Sequence, residues 1–416
     1  LFAAQIRITE IIRKNTRKSQ KLMKTGYSIR TWRMRLVCPE PIWLDRTEEY
    51  FQNVVEFYYH LLRQHEELWN SSLFDIQRSL ELLTLTGRDG RQPTNPLPMG
   101  KVPVYLRRAA INKASATVKS TQELQSGFPE KLEAKVTFFK GMYSDLTDRS
   151  ICLKLWNGEK WIWTDCKLKG RPFPQDGQLM SPTLVKEGRR YLLNIPVKQE
   201  NSDARTAKER MAEGTNLCSV RFTNTDTFAV CCILDEQGKQ LAVHTCRGGD
   251  AYRHRCKLLE TRIQKSRPNT VGDNSPQPNR KYYMHLKNLS EHYAHQVSRE
   301  ILNFCKENQA GIIVLPDYDQ NFTRMAMVKS GNFSPLHLSS KIRTNLQYKA
   351  WAEGILVLET RTDGLKDKCA ICGGKVRRKG NEFLCENGHQ GNRFLNDARN
   401  LGRKCQDSFF RGSRTK

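Results

Sequence analysis

Three cysteines and a histidine in the last quarter of the chain have the spacing of a metal site. Two residues separate Cys369 from Cys372, and Cys385 and His389 follow after a twelve-residue interval. Two such knuckles supply the four soft or borderline ligands of a tetrahedral structural zinc. Because protein would fill all four positions, the spacing does not favour a catalytic zinc. The alternative interpretation is two buried cysteines and an unrelated histidine, spaced by chance.

The charge of the chain predicts a polyanionic partner. Its 416 residues include 69 lysines and arginines against 43 acidic residues, a formal net charge of +26, and the excess is dispersed. Spread cations form an extended positive surface suited to nucleic acid. No apolar run approaches the roughly 20 residues of a membrane span, so no membrane is expected. Thirteen mostly scattered cysteines suit a reducing compartment, and without a signal-peptide core the predicted location is the cytoplasm.

The hydrophobic pattern predicts strands interrupted by helices before residue 200. Residues 27–37 alternate like a strand, and 151–170 and 183–197 have the pattern of hairpins. Helices are predicted from Asp45, at 73–86 and at 103–120. The first of these helices has an apolar face formed by Phe51, Val54, Val55, Tyr58, Leu61 and Leu62. The pattern favours a small antiparallel β-barrel interrupted by a helical insert.

The pattern after residue 200 differs. Three short strands are followed by long helical segments at 251–267 and 281–307, and then by the apolar strand "GIIVLP". Strands, a long helix and a fully apolar strand predict a mixed α/β domain with a βαβ crossover.

Three motifs in this second region carry a family resemblance. Residues 394–401, "FLNDARNL", are similar to a D-x-N-A-A-x-N-[IL] signature that follows a zinc loop. Residues 220–230 resemble a strand of the form G-[VI]-D-L-G followed by L-A-V, and residues 313–318 resemble I-V-[IV]-E-D-L. In these features, and over most of its length, the chain resembles transposon-encoded TnpB proteins and the compact type V CRISPR effectors, which have a RuvC-like nuclease domain.

The resemblance implies a multidomain α+β protein. The implied segments are a basic N-terminal arm (1–26), a wedge barrel in two parts (27–44 and 130–200), a helical recognition lobe (45–129), an RNase H/RuvC-like α/β domain (201–365), a zinc-ribbon insert (366–390) and a RuvC-like C-terminal helix and tail (391–416).

The chain departs from the family at the nuclease acids. Where the family places three carboxylates, this sequence has Phe222, Pro316 and Phe394. Such carboxylates hold two divalent ions about 4 Å apart. Phenylalanine and proline side chains cannot bind magnesium, which requires oxygen ligands. Catalytic residues and catalytic magnesium are therefore not expected.

Three aspartates close to the lost positions leave an alternative open. Asp226, Asp317 and Asp397 each lie within four residues of a degenerate position. Asp317 is predicted on the opposite strand face from Pro316, Asp397 on a neighbouring helix face, and Asp226 in a turn. Three displacements would have to converge on one metal pair. Ordinary turn and surface aspartates are the favoured interpretation.

These observations lead to one hypothesis and two alternatives. The hypothesis is an RNA-guided DNA-binding protein without nuclease activity, which occupies its target or recruits a transcription or transposition protein. The alternatives are a nuclease that uses the displaced acids and a zinc-containing DNA-binding protein that needs no RNA. The implied partners are a guide RNA and double-stranded target DNA, bound by a monomer or a homodimer in a prokaryotic nucleoid. Candidate nucleic-acid contacts, each with ordinary solvated charge as its alternative, are Arg107, Arg108, Lys113, Lys119, Lys135, Lys140, Lys167, Lys169, Arg171, Lys341, Arg343 and Lys349.

Overall fold

A computed structural model describes residues 26–410, apart from 88, 175, 267–278 and 319–333. The predicted arm at 1–26, except for its last residue, and the last six residues of the segment at 391–416 lie outside the described part. The chain divides into two compact units. The first unit is Ile29–Gln199, and the second consists of the residues from Glu200 onward together with the described residues up to Ser28.

A curled antiparallel sheet forms the framework of the first unit. Its strands lie in the order β2-β3-β4-β1-β7-β5, and β6 also pairs with β7. Their bounds are β1 (Tyr27–Val37), β2 (Tyr143–Ser144), β3 (Ser150–Trp156), β4 (Trp161–Lys169), β5 (Gln178–Leu179), β6 (Thr183–Glu187) and β7 (Arg190–Glu200). The predicted barrel is a half-barrel, because no ladder between described residues joins β2 to β5 or β6.

Three helices pack with this sheet in one hydrophobic core. They are α1 (Pro41–Gln64), α2 (Leu73–Thr84) and α3 (Val104–Leu124). The predicted apolar face of α1 is confirmed, since all six of its residues are buried. Met34 and Leu36 of β1 are buried in the same core, as the alternation of that strand predicts. Ser72 caps α2, because its side chain accepts a hydrogen bond from the Asp75 amide.

The second unit has a five-stranded mixed sheet in the order β10-β9-β8-β11-β12. Strands β8, β9 and β10 form an antiparallel meander, and β11 runs parallel to both β8 and β12. The strands are β8 (Leu217–Phe222), β9 (Thr227–Leu234), β10 (Gln240–Arg247), β11 (Ile312–Asp317) and β12 (Leu356–Arg361). The predicted crossover is confirmed by the parallel pairing of β11 with β8. Residues 312–315 of β11 are fully buried, as expected for a central parallel strand.

The described residues of this unit include the helices α4 (Ala207–Ala212), α5 (Gly249–Lys265), α6 (Arg280–Glu307), α7 (Ser339–Ala352) and α8 (Arg393–Phe410). A small separate sheet, formed by β13 (Val376–Lys379), β14 (Glu382–Cys385) and β15 (Gln390–Asn392), leads directly into α8. Among the helices that the structure describes, none has both the length and the apolar character needed to cross a membrane.

Candidate metal centre and basic cleft

The small three-stranded sheet brings the predicted metal ligands together. Cys385 is the last residue of β14, and a tight turn before β13 presents Cys369 and Cys372. Gly373 adopts a positive φ of 77° in that turn and donates its amide to the Cys369 carbonyl at 2.8 Å. The ligand atoms of the three cysteines and of His389 all lie within 4.8 Å of one another, so the cluster could hold one metal ion.

The surroundings of the cluster fit a metal bound by thiolates. The amides of Ile371 and Asn387 each donate to a cysteine sulfur at 3.4 Å, as expected for anionic ligands. The Asn387 side chain lowers the pKa of the Cys372 thiol to about 6, which favours the thiolate that binds metals. Among the described residues, the buried Nδ1 of His389 has no hydrogen-bond partner. A soft cation with nitrogen and sulfur ligands would suit this donor set.

Helix α8 holds the cluster through three polar side chains that sequence reasoning missed. Asn396 accepts a hydrogen bond from the Ala370 amide at 2.8 Å and donates to the Lys368 carbonyl at 2.9 Å. Asn400 also donates to the Lys368 carbonyl, and Arg403 donates to the Ala370 carbonyl. The i, i+4 spacing of the two asparagines was the available signal, because it places them on one helix face.

Phe222 and Phe394, two of the three positions where the family resemblance implies acids, line one cavity of about 170 Å³. Phe222 is the last residue of β8 and Phe394 is the second residue of α8, and both are buried. Pro316, on β11, is buried as well but does not line this cavity. Its carbonyl accepts a hydrogen bond from Arg343 at 3.1 Å.

The same cavity is lined by four basic side chains, Arg221, Lys366, Arg378 and Arg393, and we call these residues the basic cleft. Among its described lining residues, Asp397 supplies the only carboxylate. Arg378 Nη2 lies 2.5 Å from Asp397 Oδ1, and Arg221 Nε lies 3.3 Å from Oδ2. Arg221 also donates to the Tyr318 hydroxyl at 2.7 Å.

The structure corrects the interpretation of Asp397 as a surface aspartate. Its side chain is 2% exposed, because α8 turns this residue toward the end of β8 and toward Arg378 on β13. Asp226 and Asp317 are exposed, and neither lines the cavity. Of the three displaced acids, Asp397 alone therefore lines the cavity that Phe222 and Phe394 also line.

Six of the predicted nucleic-acid contacts make interactions within the chain. Arg107 is 8% exposed and pairs with Glu81 at 3.1 Å because α2 and α3 pack together, and Arg108 Nε lies 3.4 Å from the same carboxylate. Burial lowers the pKa of Lys349 to about 8, and its Nζ donates to Ser298 Oγ at 2.7 Å. The other three are Lys119, bonded to the Ser71 carbonyl, Lys341, paired with Glu291, and Arg343, paired with Glu359.

The remaining candidates are exposed: Lys113, Lys135, Lys140, Lys167, Lys169 and Arg171. Lys169 on β4 lies directly opposite Arg35 on β1, and both side chains are exposed on the outer face of the sheet. Like charges opposite each other in an antiparallel pair are unfavourable. On the next strand, Lys154 lies over the exposed Trp163 ring at 5.6 Å. This face combines positive charge with an accessible aromatic ring.

Comparison with known proteins defines the class of fold. The chain is similar to Cas12f1 in its cryo-EM complex with sgRNA and target DNA, with a TM-score of 0.53, 11% identity, and coverage of 91% of this chain and 99% of that one. It is also similar to the mini-RNA-guided endonuclease CRISPR-Cas_phi3, with a TM-score of 0.52, 10% identity, and coverage of 94% and 97%. This chain therefore has the fold of compact type V CRISPR effectors.

Sequence comparison reaches a shorter part of the chain. The Aq_aa04 family matches residues 28–157, which include the three helices of the first unit and the strands β1, from its second residue, β2 and β3 of the half-barrel. No curated protein matches the sequence.

Proposed function

We propose that this chain is an RNA-guided, sequence-specific DNA-binding protein without nuclease activity. It acts by occupying its target or by recruiting a transcription or transposition protein. The fold supports this proposal, because Cas12f1, which shares it, was solved with sgRNA and target DNA. In such proteins base pairing selects the DNA, while the protein supplies positive surfaces and holds the heteroduplex. None of these tasks needs a nuclease acid.

The observation that carries the proposal is the charge of the basic cleft. Two catalytic divalent ions need a group of carboxylates around them. Here the side chains at two of the expected acid positions are phenylalanines, and four cations surround one aspartate that is already paired. Unit charges of the same sign at 4 Å repel by about 4 kcal/mol at an effective dielectric constant of 20. The cleft therefore disfavours divalent ions.

The cysteine and histidine cluster has a structural role in this proposal. A zinc ion held by Cys369, Cys372, Cys385 and His389 would tie the small sheet to α8, and no magnesium is expected for catalysis. The half-barrel at 27–44 and 130–200 would act as a wedge, and the helices within 45–129 as a recognition lobe. The exposed lysines of β4 would face nucleic acid, where a phosphate backbone would offset the repulsion between Lys169 and Arg35.

The decisive experiment is to purify the chain from its native host and sequence the RNA that copurifies. Labelled DNA carrying the complement of the guide segment is then incubated with the complex and magnesium. The proposal expects a discrete RNA and RNA-dependent target binding without strand cleavage. Cleavage that Asp397→Ala abolishes would instead support the nuclease alternative with Asp226, Asp317 and Asp397. The position of Asp397 in the cavity is the observation that favours this alternative.

An RNase control separates the RNA-independent alternative from the proposal. Target binding that persists after complete RNase digestion would support a zinc-containing protein that recognises DNA alone. Salt sensitivity does not distinguish the three functions, because every one of them neutralises phosphates.

A further inference from the structure

The basic cleft contains more positive charge than the protein itself neutralises. Asp397 pairs with Arg221 and Arg378. Within the described part of the chain, no carboxylate pairs with Lys366 or Arg393. Lys366 is exposed, but Arg393 is partly buried, and an unpaired cation that is partly removed from water is costly unless an anion accompanies it.

Two further features of Arg393 point to an anion-binding site. Among the described residues, the buried Nε atom of Arg393 has no hydrogen-bond partner. Burial, with the neighbouring Arg378 as the next cause, lowers the pKa of Arg393, as expected for a cation held in a site already rich in positive charge. An anion placed between Arg393 and the neighbouring guanidinium groups would satisfy this donor and reduce the repulsion between the cations.

We propose that the basic cleft binds one phosphodiester group of a single nucleic-acid strand. Arginine suits this ligand, because its planar guanidinium donates two parallel hydrogen bonds to phosphate oxygens. Phe222 and Phe394 also line the cavity of about 170 Å³, and the Arg393 guanidinium carbon lies 4.6 Å from the centre of the Phe394 ring. In a nuclease of this fold the site would bind metal ions. In this chain it would bind the phosphate backbone of a nucleic-acid strand.

The assignment differs from the proposed function and rests on it only for the source of the strand. Deoxyribose and ribose strands share the phosphodiester, so the same chemistry could hold displaced target DNA or guide RNA. Lys366 lies at the exposed rim of the cleft, which lets a strand reach the site from solvent.

The test compares cleft variants with matched controls in the full chain. Arg393→Gln and Lys366→Gln each remove one cleft charge, and Lys366→Gln changes an exposed side chain that the core does not need. Arg377→Gln and Lys379→Gln remove the same charges from exposed positions of β13 that flank Arg378 and do not line the cleft. The probes are fluorescein-labelled oligothymidylate and oligouridylate of about twelve nucleotides, within the span of typical single-strand sites.

Binding is measured by fluorescence anisotropy over a range of salt concentrations. Each cleft variant is expected to bind about tenfold more weakly at low salt, since it loses a charge-assisted hydrogen bond or a close charge. The slope of log K against log salt is expected to fall by about 0.7 per lost phosphate contact. Controls should retain at least half of the wild-type affinity, and the preferred probe identifies the strand.

Each outcome has one meaning. If both cleft variants match their controls while the wild-type chain binds the probes, the cleft assignment is wrong and the proposed function stands. If the wild-type chain binds neither probe, the cleft assignment is also overturned, whereas the proposed function depends on the copurified RNA and is decided separately. Thermal unfolding of each variant confirms that weaker binding reflects the cleft and not lost structure.

Discussion

Asp397→Asn is the substitution that best separates a paired structural acid from a catalytic one. It keeps the shape of the side chain and removes its charge at a position that is 2% exposed. The change removes an ion pair with Arg378 at 2.5 Å and another with Arg221 at 3.3 Å. The two guanidinium groups then face each other without a neutralising carboxylate.

The structure sets the size of the expected effect. Breaking a buried ion pair costs about 3–5 kcal/mol when the remaining charge is fully buried. Here Arg378 is 23% exposed and can reach solvent, and the asparagine oxygen can still accept one hydrogen bond. We therefore expect the free energy of unfolding to fall by about 2 kcal/mol. For a unit of this size that corresponds to a decrease in Tm of about 4–8 °C.

The assay combines thermal unfolding with oligothymidylate binding, and Asp317→Asn is the matched control. Asp317 is exposed at the end of β11, so its substitution should change stability by less than about 0.5 kcal/mol. In Asp397→Asn the Tm should fall while single-strand binding stays the same or tightens, because the cleft becomes more positive. An unchanged Tm together with weaker binding, or with the loss of a measurable cleavage activity, would refute this reasoning.

Two further predictions concern the metal cluster and an acid-sensitive ion pair. Cys385→Ser should abolish the binding of about one zinc per chain, as four protein ligands imply, and Cys152→Ser, in the first unit, should retain it by metal analysis. Equal zinc in both variants would contradict the site. The Arg205 guanidinium holds the pKa of Asp203 at about 2, so this pair stabilises the fold above pH 4 and loses its effect as the pH falls toward 2. After allowance for the exposure of Arg205, Asp203→Asn should lower the free energy of unfolding by about 1–2 kcal/mol at pH 7. Near pH 2 the same substitution should lower it by almost nothing. Urea titration at the two pH values measures both effects. The same loss at both pH values would exclude the ion pair as the cause.

Local patterns in the sequence predict the elements of the fold. The apolar face of α1 and the alternation of β1 follow directly from 3.6-residue and two-residue periodicity. The cysteine and histidine spacing predicts the metal cluster for a similar reason, because both knuckles are short segments. Barrel closure is not local, since it depends on whether distant edge strands meet, and here the predicted barrel remains open among the described strands.

The electrostatic features could not be predicted in this way. Arg107 is a surface charge by composition and becomes buried only because Glu81, on another helix, is there to pair with it. The basic cleft draws residues from β8, from the segment before the metal cluster, from β13 and from α8. No short segment of the sequence contains all four of these basic residues. Only the topology, which places the start of α8 beside the end of β8, brings their charges together.

The contacts that hold the fold together are separate from the side chains that set the charge of the basic cleft. The charge of the cleft can therefore differ while the fold stays the same. Sheet β8–β12 is held by buried apolar side chains, and α8 is joined to the metal cluster by Asn396 and Asn400. None of these contacts needs a carboxylate in the cleft. Phe222 and Phe394, at two positions where the family resemblance implies acids, are therefore compatible with the scaffold, and the arginines around Asp397 make the local potential positive. Under the proposed assignment of the cleft, the same scaffold would hold a strand by its phosphates.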